Sequence, residues 1–98
     1  MSENAFKKRL TLITGSCEWE TWTRHADKHR RGGRSDSSST LDTCKSQCVD
    51  NTECNGIDWA MQSSTKCWLH GPWSDKTMYT LSGVDYHNLT RNTDCPGK

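Results

Sequence analysis

Aliphatic side chains are scarce in this chain. Its 98 residues hold only eleven Leu, Ile, Val and Phe together, and the mean hydropathy is −0.97. A chain this poor in apolar surface ordinarily stays disordered, because burial cannot offset the entropy lost on ordering it. No apolar run is long enough to span a bilayer, so membrane insertion is not expected. Residues 7–15 (KKRLTLITG) begin as a signal peptide does, but their apolar segment is too short for one. Nor is there a G-x-S-x-G elbow, an H-E-x-x-H zinc motif, a phosphate loop or an obvious carboxylate pair. These absences point away from an enzyme and imply no cofactor. Internal repeats are absent, and the length suits one domain.

Two things present argue for a fold. Five Trp and two Tyr bury large areas from few positions. Six cysteines, Cys17, Cys44, Cys48, Cys54, Cys67 and Cys95, can staple a thin core as three disulfides, each contributing about 2–4 kcal/mol. Six cysteines allow fifteen pairings. Their spacings do not form the two close pairs of a zinc site, so disulfides are expected in place of metal. Disulfides place the domain in an oxidising compartment. The expected setting is therefore a secreted protein or the extracellular part of a larger one.

Along the chain, residues 1–16 read as an N-terminal extension, 17–95 as the domain and 96–98 as a tail. Cys17–Trp22 alternates as a strand does, with Cys17 and Trp19 on one side. Residues 24–39 carry no aliphatic beyond Ala26 and include Gly32-Gly33 and a serine run, which predicts one long mobile loop. Ser39 or Thr40 can cap a helix whose inner face carries Leu41, Cys44, Cys48 and Val49. That helix should stop near Asp50-Asn51, since Asn accepts the left-handed turn. Gly56–Met61 alternates Ile57, Trp59 and Met61 inward with Asp58 and Ala60 outward, Cys67–His70 is a second strand, and Val84–Leu89 a third. Residues 73–83 read as a connection. One helix on an antiparallel sheet is an α+β fold.

The helix pair in TCKSQC (43–48), Cys54, GIDW (56–59), CWLHG (67–71) and GVDYHNLTRNTDC (83–95) together resemble the PAN/apple domain family over about Cys17–Cys95. The resemblance implies a sheet of about five antiparallel strands crossed by one helix. It also implies three disulfides: Cys44–Cys67, Cys48–Cys54 and Cys17–Cys95. Domains of that family mediate protein–carbohydrate or protein–protein contacts and are not catalytic. The expected function is thus an extracellular module that recognises carbohydrate, sulfated glycans among them, or protein in adhesion. The alternatives are a protein–protein scaffolding domain of a multi-domain secreted protein and a small secreted antagonist.

The segment that departs from a minimal family member is the basic one. Arg24, Lys28, Arg30, Arg31 and Arg34 fall within eleven residues, opposed only by Asp27. Clustered guanidinium groups fork onto sulfate, carboxylate or phosphate. In an oxidising compartment that favours acidic glycans or proteins over nucleic acid. The competing reading is a solvated polar loop. Trp22 and Trp73 stand at loop edges, where a ring can stack on a sugar, or merely lie half-buried; Trp59 and Trp68 are expected in the core, and Trp19 fits either. His25 and His29 are four apart, but Gly32-Gly33 and the serine run oppose a helix there, so no metal site is expected. His70 and His87 stand where two strands would bring them face to face, though a lone strand histidine is ordinarily structural. Asn88-Leu89-Thr90 is a sequon, making Asn88 a candidate glycosylation site.

Overall fold

A computed structural model describes residues 19–92. The chain divides into two compact units. Among the described residues, one holds 19–21 and 90–92; the other, Trp22–Leu89, carries the site. Among the described residues of the first unit, the Asn92 N–H donates to the Trp19 carbonyl at 2.8 Å. The strands are β1 (Glu20–His25), β2 (Lys28–Arg30), β3 (Arg34–Asp36), β4 (Gly56–Ala60), β5 (Cys67–His70), β6 (Met78–Thr80) and β7 (Val84–Arg91). The helix, α1, spans Leu41–Asp50. β1-β7-β4-β5-β3 form a five-stranded antiparallel sheet, and β2-β6 a two-stranded ribbon. The fold is α+β, and among the described residues no helix is long and apolar enough to cross a membrane.

Residues 24–39 are therefore not one loop. They finish β1, supply a ribbon strand and supply an edge strand of the sheet. Each piece is three residues long or carries mostly charged side chains, so no apolar alternation announces it. The connection 73–83 likewise contains β6, which pairs with β2 through Lys28↔Thr80, His29↔Tyr79 and Arg30↔Met78.

Thr40 caps α1: its hydroxyl oxygen accepts the Thr43 N–H at 3.2 Å, satisfying one orphan helix donor. The helix ends at Asp50 by a different route from the one expected. Asn51 is extended, and its N–H bonds back to the carbonyls of Gln47 and Cys48. On the inner face, Cys44 is bonded to Cys67 in the sheet and Cys48 to Cys54 beyond the helix. These are the pairings the resemblance implies for those four residues. Cys17 and Cys95 lie outside the described residues.

Strand register sorts the sheet into two faces. Ile57 stands opposite Leu69 and His87, and Trp59 opposite Cys67 and Asp85. This face meets α1, where Cys44, Cys48, Cys54, Ile57, Cys67 and Leu89 form the buried cluster, with Trp22, Leu41, Val49, Trp59 and Leu69 packed against it. The other face carries Gly56, Asp58, Ala60, Trp68, His70, Val84, Tyr86 and Asn88. It is covered as well. Asp58 and Ala60, expected outward, are buried, while Met61, expected inward, is 50% exposed. Trp59 and Trp68 are both half-buried and sit on opposite faces.

The Cys44–Cys67 bond ties α1 to a strand 23 residues away in sequence. Replacing both residues by alanine is expected to cost about 2–4 kcal/mol. Urea denaturation of the variant, with the Cys48–Cys54 bond intact, measures it.

Candidate functional site

The β2-β6 ribbon lies over the sheet face that α1 leaves uncovered. Two acids hold the segment from the β1–β2 turn into β2, Asp58 from that face and Asp85 from the other. The Asp58 carboxylate accepts the Arg30 backbone N–H at 3.3 Å from each oxygen. The Asp85 carboxylate accepts the Asp27 N–H at 3.1 Å. Asp27, at φ +55°, turns the chain from β1 into β2, and its side chain accepts the Gly83 N–H at 3.0 Å. Asp is one of the few residues that enter this left-handed region readily.

The structure separates the five cations of the basic segment. Arg24 pairs with Asp85, through Nε at 2.9 Å and Nη2 at 2.8 Å. Burial alone would push the Asp85 carboxyl up, but the Asp27 N–H and the Arg24 guanidinium outweigh it and hold the group below its ordinary value. Lys28 donates to the Thr80 hydroxyl across the ribbon at 2.9 Å. Arg30 is buried, only 7% exposed. Arg31 and Arg34 remain exposed, each over an aromatic ring. The Arg31 guanidinium carbon lies 4.1 Å from the Tyr79 ring centre and that of Arg34 lies 3.8 Å from the Trp73 ring centre.

The segment between them is fixed by the loop after β5. The Asp75 N–H donates to the Arg31 carbonyl at 2.9 Å and the Ser74 hydroxyl to the Gly32 carbonyl at 3.3 Å. Gly32 adopts φ +86°, and a Cβ there would sit 3.2 Å from the Trp73 carbonyl oxygen. Trp73 is anchored through its Nε1–H to the Leu69 carbonyl at 3.1 Å. Asp75 stands beside the pair with its carboxyl held below its ordinary value by the Thr77 N–H and the Tyr79 hydroxyl, with Arg31 adding to both.

Of the aromatic candidates, then, Trp73 joins the exposed arginines and Trp22 does not. Trp22 packs at the helix-side cluster, under the Lys45 ammonium at 5.3 Å. Tyr79 is the partner that sequence reasoning missed, because it sits in a segment with no strand pattern. His25 and His29 stand by Tyr86 and Tyr79, each with ring centres 5.9 Å apart. Among the described residues no group of three or more His, Cys, Asp or Glu is placed to hold a metal ion.

Beneath the ribbon lies a buried polar layer. Asp58 is 5% exposed and His70 fully buried. The His70 Nε2 lies 3.0 Å from Asp58 Oδ2 but off the line of a hydrogen bond, so the contact is a close approach without direction. Its Nδ1 is 2.8 Å from the Ser74 hydroxyl. Tyr86 lies across Gly56, and any Cβ at that position would run into the phenol ring. Two clefts flank this layer. One, of about 360 Å³, is lined by His29, Arg31, Gly33, Trp68, Leu81 and Val84 among others. The second, of about 290 Å³, is lined by His25, Arg30, Asn55, Lys76, Met78, Tyr86 and Asn88. The sequon asparagine thus borders a cleft and is half-buried.

His70 and His87 do not face each other, because register puts them on opposite faces of the sheet. His87 is 5% exposed, and its Nε2 has no hydrogen-bond partner among the described residues. Burial, and then the Lys45 ammonium, lower its proton affinity; Asp85 opposes them, while Arg24 and His25 add to them.

No protein-family model matches the chain, and neither a curated protein nor a solved structure matches it.

Gly56→Ala is expected to displace Tyr86 and destabilise the fold by about 1–3 kcal/mol, the range for overpacking, read by urea denaturation. The His87 shift sets a second expectation. With its folded value lowered below the ordinary 6.5, the unfolded chain takes up the proton first as pH falls. Stability from this group is then present above pH 6.5 and is lost on acidification below it. His87→Gln should flatten the stability profile in that window, and an unchanged slope would refute the assignment.

Proposed function

We propose that this domain is a PAN/apple-like extracellular binding module whose ligand is an acidic glycan, sulfated glycans foremost. The observation that carries the reading is the pair Arg31–Tyr79 and Arg34–Trp73. A surface arginine normally loses rotamer freedom when it grips a ligand, and that loss subtracts from affinity. Here each guanidinium already rests on a ring, and Gly32 and the loop after β5 fix the backbone between them. Cation–π contact leaves the guanidinium edge, with its forked donors, free to meet sulfate or carboxylate oxygens. Lys28, on the neighbouring ribbon strand, adds charge without leaving its Thr80 contact.

The disulfides found in the domain suit the oxidising compartment in which such glycans occur. The reading assigns no catalytic role to any residue.

A second reading, a protein partner, draws on apolar exposure around β6. Met78 is 41% and Leu81 45% exposed, on either side of Tyr79 and Thr80. Partners of protein interfaces are often held by such apolar anchors beside aromatic rings.

The oxidised domain applied to a glycan array containing sulfated polysaccharides, at physiological salt, is expected to be retained. Retention should fall as salt rises, and the Arg31→Ala/Arg34→Ala double variant should weaken it by at least about tenfold. Retention that the double variant leaves unchanged would remove the basis of the glycan reading. No retention at all would move the weight to the protein partner.

A further inference from the structure

Among the described lysines and arginines only Arg30 is buried. A buried guanidinium keeps its charge at any accessible pH, and buried charges are almost always paired. Its side chain has no carboxylate partner among the described residues. The Nε donates to the Asp75 backbone carbonyl at 2.7 Å, and Nη1 to Asn55 Oδ1 and to the Tyr86 hydroxyl, both at 3.0 Å. All three acceptors are neutral. Asp58 takes the backbone N–H of Arg30, and the Asp75 carboxylate is turned to the Thr77 N–H and the Tyr79 hydroxyl. The Nη2 group, with two N–H donors, bonds to no described residue, and it is not among the buried unpartnered atoms, so it reaches solvent.

The polarity of this network runs one way. Arg30 can only donate, so Asn55 must present its oxygen to Nη1. Tyr86, having accepted from Arg30, gives its own proton to Asn88 Oδ1 at 3.1 Å. Each amide oxygen is thereby turned to a donor within the network, and each amide nitrogen is left as a donor without a described acceptor. Asn55, Tyr86 and Asn88 all line the 290 Å³ cleft with Arg30. The remaining polar lining is His25 and Lys76, and no acid is present. A cleft floored by an unneutralised guanidinium, rimmed by an ammonium and furnished with free amide N–H groups is built to accept negative oxygens.

We propose that this cleft is a receptor for one tetrahedral or planar oxyanion group, a sulfate above all. Arg30 Nη2 and the Asn55 and Asn88 amides are its donors, and Lys76 is its outer charge. The site stands apart from the Arg31–Arg34 surface and does not rest on the glycan reading. The anion can be a free ion or a monoester pendant on a larger molecule, and Asn88 takes part only when it carries no glycan.

The test is an NMR titration of the unglycosylated, oxidised full chain with sodium sulfate and with methyl sulfate, against sodium chloride at matched ionic strength. Saturable shifts of the Asn55 and Asn88 side-chain amides and of the Arg30 Nε–H are expected with both sulfates. Stronger binding of methyl sulfate would identify a pendant group, and stronger binding of inorganic sulfate a free ion. Lys76→Glu, at an exposed position, should weaken sulfate by about tenfold, while Arg31→Ala/Arg34→Ala should leave it unchanged. Asn88→Asp, which sets a carboxylate in the cleft, should abolish the sulfate shifts and raise the thermal midpoint. Equal shifts with chloride, silent Asn55 and Asn88 amides, or a Lys76→Glu affinity equal to that of the natural chain would overturn the proposal. Sulfate binding that survives in the Arg31/Arg34 variant while glycan retention is lost, or the reverse, tells the two sites apart.

Discussion

With so few aliphatic side chains, this fold closes only one face of its sheet by apolar burial; the other is closed by hydrogen bonds to buried charge, beginning at Asp58. Its carboxylate accepts the Arg30 backbone N–H from the ribbon and lies against His70 from the next strand. A carboxylate in that position with no donor would be costly, and the Arg30 backbone N–H supplies one to both of its oxygens. The consequence is positional. Once β2 is held at Arg30, the Arg30 side chain must run beneath the ribbon, while Arg31 must emerge beyond its end. The division of the basic segment into one buried and several surface cations follows from that single attachment.

The two faces differ in what they demand of sequence. On the helix side, the disulfides do much of what bulk would do elsewhere: four half-cystines sit in a cluster whose fully buried aliphatic is Ile57. On the ribbon side, the requirement is for complementary polarity. Tyr86 can lie across β4 only because residue 56 has no side chain, and in that position its hydroxyl both accepts from Arg30 and donates to Asn88. A glycine in a central strand normally weakens it. Here it makes room for the ring that links three strands.

Much of the helix side was legible in the chain. The cysteine spacing, the apolar face of α1 and the strands at 56–60 and 67–70 all obey simple periodicity, and Thr40 was one of two foreseen caps. The ribbon side was not legible, for a physical reason. Alternation assigns polar residues outward on the premise that one face of the sheet is wet. When the second face is covered, that premise inverts Asp58 and Ala60 together. The three-residue strands β2, β3 and β6 carry too little apolar character to register at all, since they are held by backbone pairing and by contacts such as Arg31 on Tyr79. One signal was available: an Asp in the middle of GIDWA, between Ile57 and Trp59, sits in a segment whose neighbours belong in a covered central strand. It asks for a buried donor, and the Arg30 backbone N–H supplies it.

That segment joins two kinds of cation whose physics diverge. Arg31 and Arg34 act from the surface, where salt screens them over about 8 Å at physiological ionic strength; they suit extended ligands that many contacts can hold. Arg30 sits where its field is screened far less and where water competes only through one corner of the guanidinium. A group reaching it must shed its own hydration, so charge alone is insufficient and the shape of the anion decides. Surface cations of this type gather acidic ligands with little discrimination, whereas a guanidinium fixed in place beside amide N–H donors favours a group that presents acceptor oxygens to all of them. Both behaviours arise from consecutive residues, because β2 ends at Arg30, whose side chain runs beneath the ribbon, and Arg31 stands just past that end.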